Sequence, residues 1–443
     1  MTTPKQILNS HSPSVGRDRG PYSAHSAVID GYRGWILLLI ILVALGGVAL
    51  VFAQNATAQT QTKAKPDTQY QVSTLPDFGG TSSGGNSINN QSWAAGYSRL
   101  PNRNRHATLW RNSALTDLGT LGGLNSSVTW NVKNTSGIIV GISQTLTPEP
   151  LGEWWSSFAF YSTPNNIGFI NLGFVWEQSL GQMRGLPNFP GGNNGFATGA
   201  NNLRQVVGWA ENGVHDPTCC SGGPTCHQVL QFRPAVWELG PPDQIHDLPL
   251  IPGDTSGAAT AINDNGQIVG ISGICDQAVG RHTAKHAVLW ENGGVTGLGT
   301  FPAPWWNTPT AINQHGDIVG FAGDPAFVEG DVLHAFMWTR EDGLRPLKPL
   351  KGRTPQHVDS EAYGINERRQ VVGVSCDAQQ TDCRAVVWDH GAYPTDLNDL
   401  KGGYSAFLAL AKDINDKGEI TGRAVDPTTG ALIAYLAVPV DNN

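Results

Sequence analysis

Charged side chains are scarce. Asp, Glu, Lys and Arg make up 14% of the 443 residues, against a usual share of about 25%, so long solvated helices laced with ion pairs are not expected. Lysine and arginine form no run and the formal net charge is −8, which removes the basic footprint that a nucleic acid partner requires. Cysteine is missing before residue 219. Beyond the amino end no apolar stripe recurs at helical spacing, which excludes a helical solenoid. The glycines keep no three-residue period, so collagen is excluded. Hydrophobic residues at 40%, with 14 Trp among them, exclude global disorder.

What is present begins with a membrane signal. Trp35 to Ala53 is one uninterrupted apolar run, and no charged side chain occurs between Gly34 and Thr62. At about 1.5 Å per residue such a run crosses a bilayer as one helix. Arg17, Arg19 and Arg33 precede it, so residues 1–34 are expected to stay cytoplasmic and the remainder to be exported. Lys63 and Lys65 weigh slightly the other way. Ala56-Thr57-Ala58 fits the small-residue pattern of a cleavage site, while the apolar run is longer than that of most removed signals. Residues 35–53 are therefore either a cleaved signal or an anchor, and residues 54–69 read as a linker in both cases.

The body repeats one nine-residue phrase seven times: an apolar residue, Asn, two polar residues, Gly, a polar residue, two β-branched residues and Gly. Its clearest copies are Ile262 to Gly270 (INDNGQIVG), Ile312 to Gly320 (INQHGDIVG) and Ile414 to Gly422 (INDKGEITG). Ile365 to Gly373 and Ala200 to Gly208 follow, and Lys133 to Gly141 and Ile88 to Gly96 are degenerate. The closing glycines are 45 to 67 residues apart. Turn formers between β-branched residues predict two short antiparallel strands per copy, and hairpin chemistry alone suffices to explain the Asn- and Asp-rich turns.

A second phrase follows each first one, as in His106 to Trp110 (HATLW), His286 to Trp290 (HAVLW), His334 to Trp338 (HAFMW) and Arg384 to Trp388 (RAVVW). A third strand phrase comes after a polar turn, for instance Asn292-Gly293, the pairing most diagnostic of a two-residue hairpin. Four strands in about 50 residues predict a blade, and the whole predicts an all-β fold: a single β-propeller over residues 70–440, seven four-stranded blades with six or eight as alternatives. The chain opens with a strand of the third kind, Tyr70 to Leu75, and ends with one of the second kind, Ala434 to Val438. These two should pair and close the ring. Residues 151–172 read as an insertion that could form an eighth blade.

The phrases DLGTLGG (Asp117 to Gly123), the Asn-Gly hairpin and HAVLW resemble the extracellular HAF-repeat family of bacterial proteins, over roughly residues 70 to 438. The resemblance implies export and a repeated β-architecture. It transfers no catalytic motif. Here the family's histidine is replaced by Arg384, Pro234 and Gly173, which argues against an obligatory ligand or catalyst at that position.

The candidate chemistry is sparse. Cys219, Cys220, Cys226, Cys275, Cys376 and Cys383 are even in number in an exported chain, so disulfides are expected. Cys376 and Cys383 should bridge one loop. Cys275 should bond one of the other three and leave two to pair, a Cys219–Cys220 bridge being disfavoured by geometry. Zinc on Cys219, Cys220, Cys226 and His227 lacks the usual spacing. His282 and His286 lack the glutamate of an HExxH site. Gly80 to Gly84 has the G-x-S-x-G pattern but reads as a turn between strands. No copy of the turn has enough oxygen ligands for tight calcium binding. The tryptophans at 110, 176, 237, 290, 338 and 388 are expected to pack between blades. Trp154, Trp155, Trp305 and Trp306 break the repeat and are expected in loops as binding residues.

Together these observations predict a non-catalytic, extracytoplasmic monomer. It would bind a protein or polysaccharide through irregular loops, with no cofactor or metal, and would meet the membrane only through an uncleaved 35–53. A hydrolase or lyase acting on glycans with acids near the ring axis is the alternative, and a membrane-held scaffold a third.

Overall fold

In a computed structural model the chain is described over residues 68–112, 114–153, 168–219, 228–275, 284–299, 305–324 and 332–440. The predicted helix at 35–53 lies outside these. The described strands form seven four-stranded antiparallel sheets, the blades of a propeller. In blades one to six the strands pair in chain order from inner to outer. Inner strands, such as Ser83–Ile88 in the first blade and Ser256–Ile262 in the fourth, are wholly buried, while outer strands, such as Ala114–Asp117, are largely open to solvent. The extra blade entertained for 151–172 is not among the described sheets.

The seventh blade closes the ring as expected. Its order is Gln69–Thr74, Leu432–Val440, Ile420–Val425 and Phe407–Ile414, so the chain's first described strand completes the sheet made by its last three. Gln69 lies opposite Val440 and Thr74 opposite Tyr435. Residues far apart in sequence thus remove the open sheet edge.

The nine-residue phrase proves to be more than a hairpin. The Asn263 side-chain oxygen accepts the N–H groups of Asn265 and Gln267 at 3.1 and 3.0 Å, which shapes its own turn. The Asn263 amide donates to the Asn313 carbonyl of the next blade at 2.9 Å. The same link runs from Asn89 through Asn134, Asn201, Asn263, Asn313, Asn366 and Asn415 back to Asn89, at 2.9 to 3.4 Å. Only at Asn134 is the acceptor displaced by one residue, to Ala200. There the phrase is degenerate, and the inner strand of the second blade, Gly122–Ser127, ends before the turn begins. All seven asparagines are buried. Hairpin chemistry alone is therefore too little to explain the turns: they also bind the ring together.

The closing glycine has a separate cause. Each inner strand except the second blade's carries an extra residue near its end, as between Ala259 and Ala261 or Ala411 and Asp413. Beside that bulge the inner strand's backbone presses on its neighbour. A Cβ on Gly270 would overlap the Ala258 carbonyl oxygen, and one on Gly422 the Leu410 carbonyl oxygen. The turn glycine is less strict, since Arg204 and Arg369 take the same left-handed conformation (φ 64° and 59°).

The repeated tryptophans pack between blades as expected. Trp110, Trp237, Trp290 and Trp388 are at most 2% exposed. Their indole N–H groups donate to the carbonyls of Pro76, Pro187, Pro249 and Lys348 in the link arriving from the preceding blade.

Two outcomes test this account. Removing Leu432–Val440 strips two strand pairings from the closing blade and should abolish a single cooperative unfolding transition in calorimetry; an unchanged melt contradicts closure. Asn263→Ala orphans two N–H groups and removes the inter-blade bond to the Asn313 carbonyl and should lower stability in urea unfolding by about 2–4 kcal/mol, whereas Asn292→Ala, on an outer turn, should cost much less.

Candidate functional site

Strand topology divides the surface of the ring into two faces. Turns from inner to second and from third to outer strands lie at one end, the turn face. Connections from second to third strands and the links between blades lie at the other, the loop face.

On the turn face the residues following the belt asparagines surround the axis. The N–H of Asn202 donates to Asp264 Oδ1 at 2.8 Å, that of Asp264 to Gln314 Oε1 at 3.0 Å, that of Gln314 to Glu367 Oε1 at 2.9 Å and that of Glu367 to Asp416 Oδ1 at 2.9 Å. Asp416 passes the series to Asn90 and Thr135 enters it at Asn202. Among the described residues the series is broken only between Asn90 and Thr135. These groups and Lys133 bound a cavity of about 150 Å³. The oxygens of Asp264, Glu367 and Asp416 are already engaged by neighbouring donors. That makes the collar a fastening, with little capacity to hold a cation.

Deeper along the axis the ring loses its symmetry. In blades three to five the bulge residue is Thr198, Thr260 or Thr310, whose hydroxyl donates to the next blade's carbonyl at 2.8 to 2.9 Å. The equivalent positions in the remaining blades are Tyr363, Lys412, Asn86 and Asn131. Asn131 of the second blade reaches across the axis and donates to the Tyr363 carbonyl of the sixth at 2.7 Å. Lys133 pairs with the buried Asp413 at 2.7 Å. Lys412 Nζ sits 3.6 Å from the centre of the Tyr363 ring, and Tyr363 donates its hydroxyl to Glu361 Oε2 at 2.5 Å.

The electrostatics follow from this crowding. Burial, and then the neighbouring Arg423, push the Lys412 amine down to about 7. Burial raises Glu361 despite its tyrosine bond and Lys412, and raises Asp359 strongly with help from Glu361. Tyr97 is buried, which by itself would raise it, but Arg423, Arg105 and Arg99 around it lower it. Glu361, Lys412 and Arg423 nonetheless keep some solvent-exposed surface. One half of the axis thus fastens blades, and the other gathers an amine brought close to neutral pH and carboxyl groups raised above their ordinary range.

The loop face carries the expected cysteines. Cys219 of the third blade pairs with Cys275 of the fourth, Cα atoms 5.0 Å apart, and Cys376 pairs with Cys383 inside the sixth. Cys220, Cys226, His227 and His282 lie outside the described residues, as do Trp154 and Trp155. Trp305 and Trp306 correct an expectation: their backbone opens the inner strand Trp305–Ile312, where a loop was expected. Ser83 and Gly84 of the G-x-S-x-G pattern likewise open a strand. His286 pairs with Asp254 at 2.8 Å.

Four of the eight large exposed apolar side chains of the described residues also gather on the loop face. Leu146 (71% exposed), Leu124 (49%) and Leu151 (44%) lie on the second blade and Val214 (53%) on the third. Leu146 and Val214 are near the loop-face ends of the second strands, Ile138–Pro148 and Gln205–His215. Sequence reasoning missed this cluster because single leucines in strands read as core. It also missed Glu361, Tyr363 and Lys412, although aligning the seven copies three residues before the asparagine would have shown the departures from threonine.

No family model and no curated protein matches the chain. Among solved structures it is similar to an acylaminoacyl peptidase of Pyrococcus horikoshii (TM-score 0.42, 9% identity, 84% of this chain and 52% of that one). It is also similar to a gluconolactonase of Xanthomonas campestris (0.35, 10%, 84% and 90%) and to a sialidase of Trypanosoma rangeli (0.35, 10%, 74% and 56%). The chain spans about half the length of the peptidase and of the sialidase. These are distant likenesses of chain path and carry no chemistry.

Competitive labelling of the amines should assign Lys412 an apparent pKa of about 7, and Arg423→Gln should raise it. A value near the ordinary lysine figure of about 10.4 contradicts the description of the polar half-axis.

Proposed function

We propose that this protein is a non-catalytic, extracytoplasmic recognition module of the HAF-repeat type, which takes a protein partner on the loop face of its second and third blades. The carrying observation is the cluster of Leu124, Leu146, Leu151 and Val214 on adjacent blades, since apolar side chains gathered on one surface mark interaction sites more than scattered ones do. Leucine and valine favour a protein over a polysaccharide, which stacks on aromatic rings. Disulfides beside and beyond the cluster are consistent with an oxidising compartment. Rigid blades would present the connections as one preorganised surface.

Capture from the extracytoplasmic fraction tests this reading. Leu146→Asp with Val214→Asp should abolish capture of a specific protein with the fold intact, and Leu180→Asp, on the turn face, should leave it unchanged. Equal loss in both variants, or binding to glycans alone, overturns it.

One observation favours a second reading. Asp359, Glu361, Tyr363 and Lys412 on the axis would suit a hydrolase or lyase acting on glycans. Turnover of a glycan panel that Glu361→Gln abolishes would establish that reading in place of the first.

A further inference from the structure

The segments that carry the apolar side chains also carry three carboxyl groups. Glu149 and Glu153 belong to the connection after the second strand of the second blade, and Glu211 lies three residues before Val214 on the third. Glu153 is 3% exposed and Glu211 fully buried. Each holds backbone of another segment. Glu153 Oε1 accepts the N–H groups of Val229 and Leu230, the latter at 2.9 Å. Glu211 Oε2 accepts those of Asn193 and Asn194 at 3.1 and 2.8 Å, and its Oε1 accepts the Asn194 side-chain amide at 3.1 Å. Glu149 Oε2 accepts from Leu151 and Glu153 at 2.9 and 2.6 Å. Two carboxyl groups therefore tie together three separate segments of the loop face.

Among the described residues no lysine, arginine or histidine bonds or pairs with Glu149, Glu153 or Glu211. The groups that face the pair are Glu149 on its own connection and the neutral Asn193 and Asn194 in the link between blades. Asp216, farther along the third blade's connection, is taken by Thr218, Thr255 and Ser256. Glu149 Oε1 and Glu153 Oε2 are buried without any partner. Glu153 and Glu211 lie within hydrogen-bonding reach of each other, and two such carboxylates cannot both stay ionised in a medium of low dielectric. A hard cation would want six to eight oxygens, roughly, and only two are vacant here. A proton needs one donor and one acceptor.

We propose that Glu153 and Glu211 share a single proton and form a pH-operated clamp, which holds the recognition surface together while the proton is bound and loosens it when the proton leaves. Burial comes first in raising both groups; the charge of Glu153 adds to it at Glu211, and that of Glu149 adds to it at Glu153, where the bond to Glu211 works the other way. The folded state therefore binds more protons than the unfolded chain from the ordinary carboxylate range upward. The clamp is complete below that range and weakens as pH rises through the raised values. Its consequence for partner binding rests on the recognition reading above, but the clamp itself does not.

Hydrogen exchange of the full chain, corrected for intrinsic rates and read between about pH 5 and about pH 9, tests it. Protection at Val229, Leu230, Asn193 and Asn194 should fall by up to about tenfold per pH unit between the ordinary carboxylate range and the raised values, and level off above them. The strand Ile268–Gly273 should stay protected. Glu211→Gln, which keeps a neutral partner for Glu153, should flatten the profile, and Glu153→Gln is read the same way if that variant does not fold. A flat profile in the parent protein overturns the proposal. So does recovery of protection at high pH on adding calcium, which would make the group a cation site. No partner is needed, so loss of capture with the profile intact would sink the recognition reading alone.

Discussion

A buried asparagine that bonds in two directions is the constraint on which the rest of the molecule depends. Its side-chain oxygen gathers N–H groups two and four residues ahead, and its amide reaches the next blade. One short polar side chain thereby couples the shape of a turn to the position of a neighbouring sheet. Buried polar groups must find partners or lose on the order of 1–3 kcal/mol each, so a copy that misplaced its blade would leave several groups unsatisfied at once. Seven such links return to the first asparagine, and pairing of the first and last strands completes the circle from the sheet side.

Against that regular frame, the departures carry the chemistry. Threonine at the bulge fastens three blades, whereas Tyr363, Lys412, Asn86 and Asn131 occupy the equivalent positions elsewhere and bring larger polar groups, one of them an amine, into the axis. A ring tolerates this on one side because the belt and the tryptophan bonds hold the blades independently. On the loop face the connections from second to third strands share no bond comparable to the asparagine belt among the described residues, and they accept apolar residues, disulfides and buried acids. Recognition on the loop face is in keeping with where the frame leaves the chain unconstrained.

The fold was legible in the sequence because its determinants are local and repeated. Asn-Gly turns, β-branched pairs and one tryptophan per unit each act within a few residues, and seven copies average out the weak ones. Closure was legible too, because the unpaired strand kinds at the two ends complement each other. The closing glycine was visible as a regularity without its cause, the carbonyl opposite a bulge. Trp305 and Trp306 show the opposite failure: their break from the repeat suggested a loop, yet the inner strand simply begins earlier in that blade.

What the sequence by itself determined is therefore the unit, its sevenfold recurrence and the expectation of disulfides, since each rests on spacing along the chain, while the structure decided for seven blades over six or eight. Only the tertiary structure decided which side chains meet: Cys219 with Cys275, Asn131 with the Tyr363 carbonyl, Glu153 with Glu211. Those meetings join residues 56, 232 and 58 positions apart, and a separation of that size carries no periodic signal. Whether two acids share a proton depends on their distance and on the water excluded around them, and both exist only once the ring has closed.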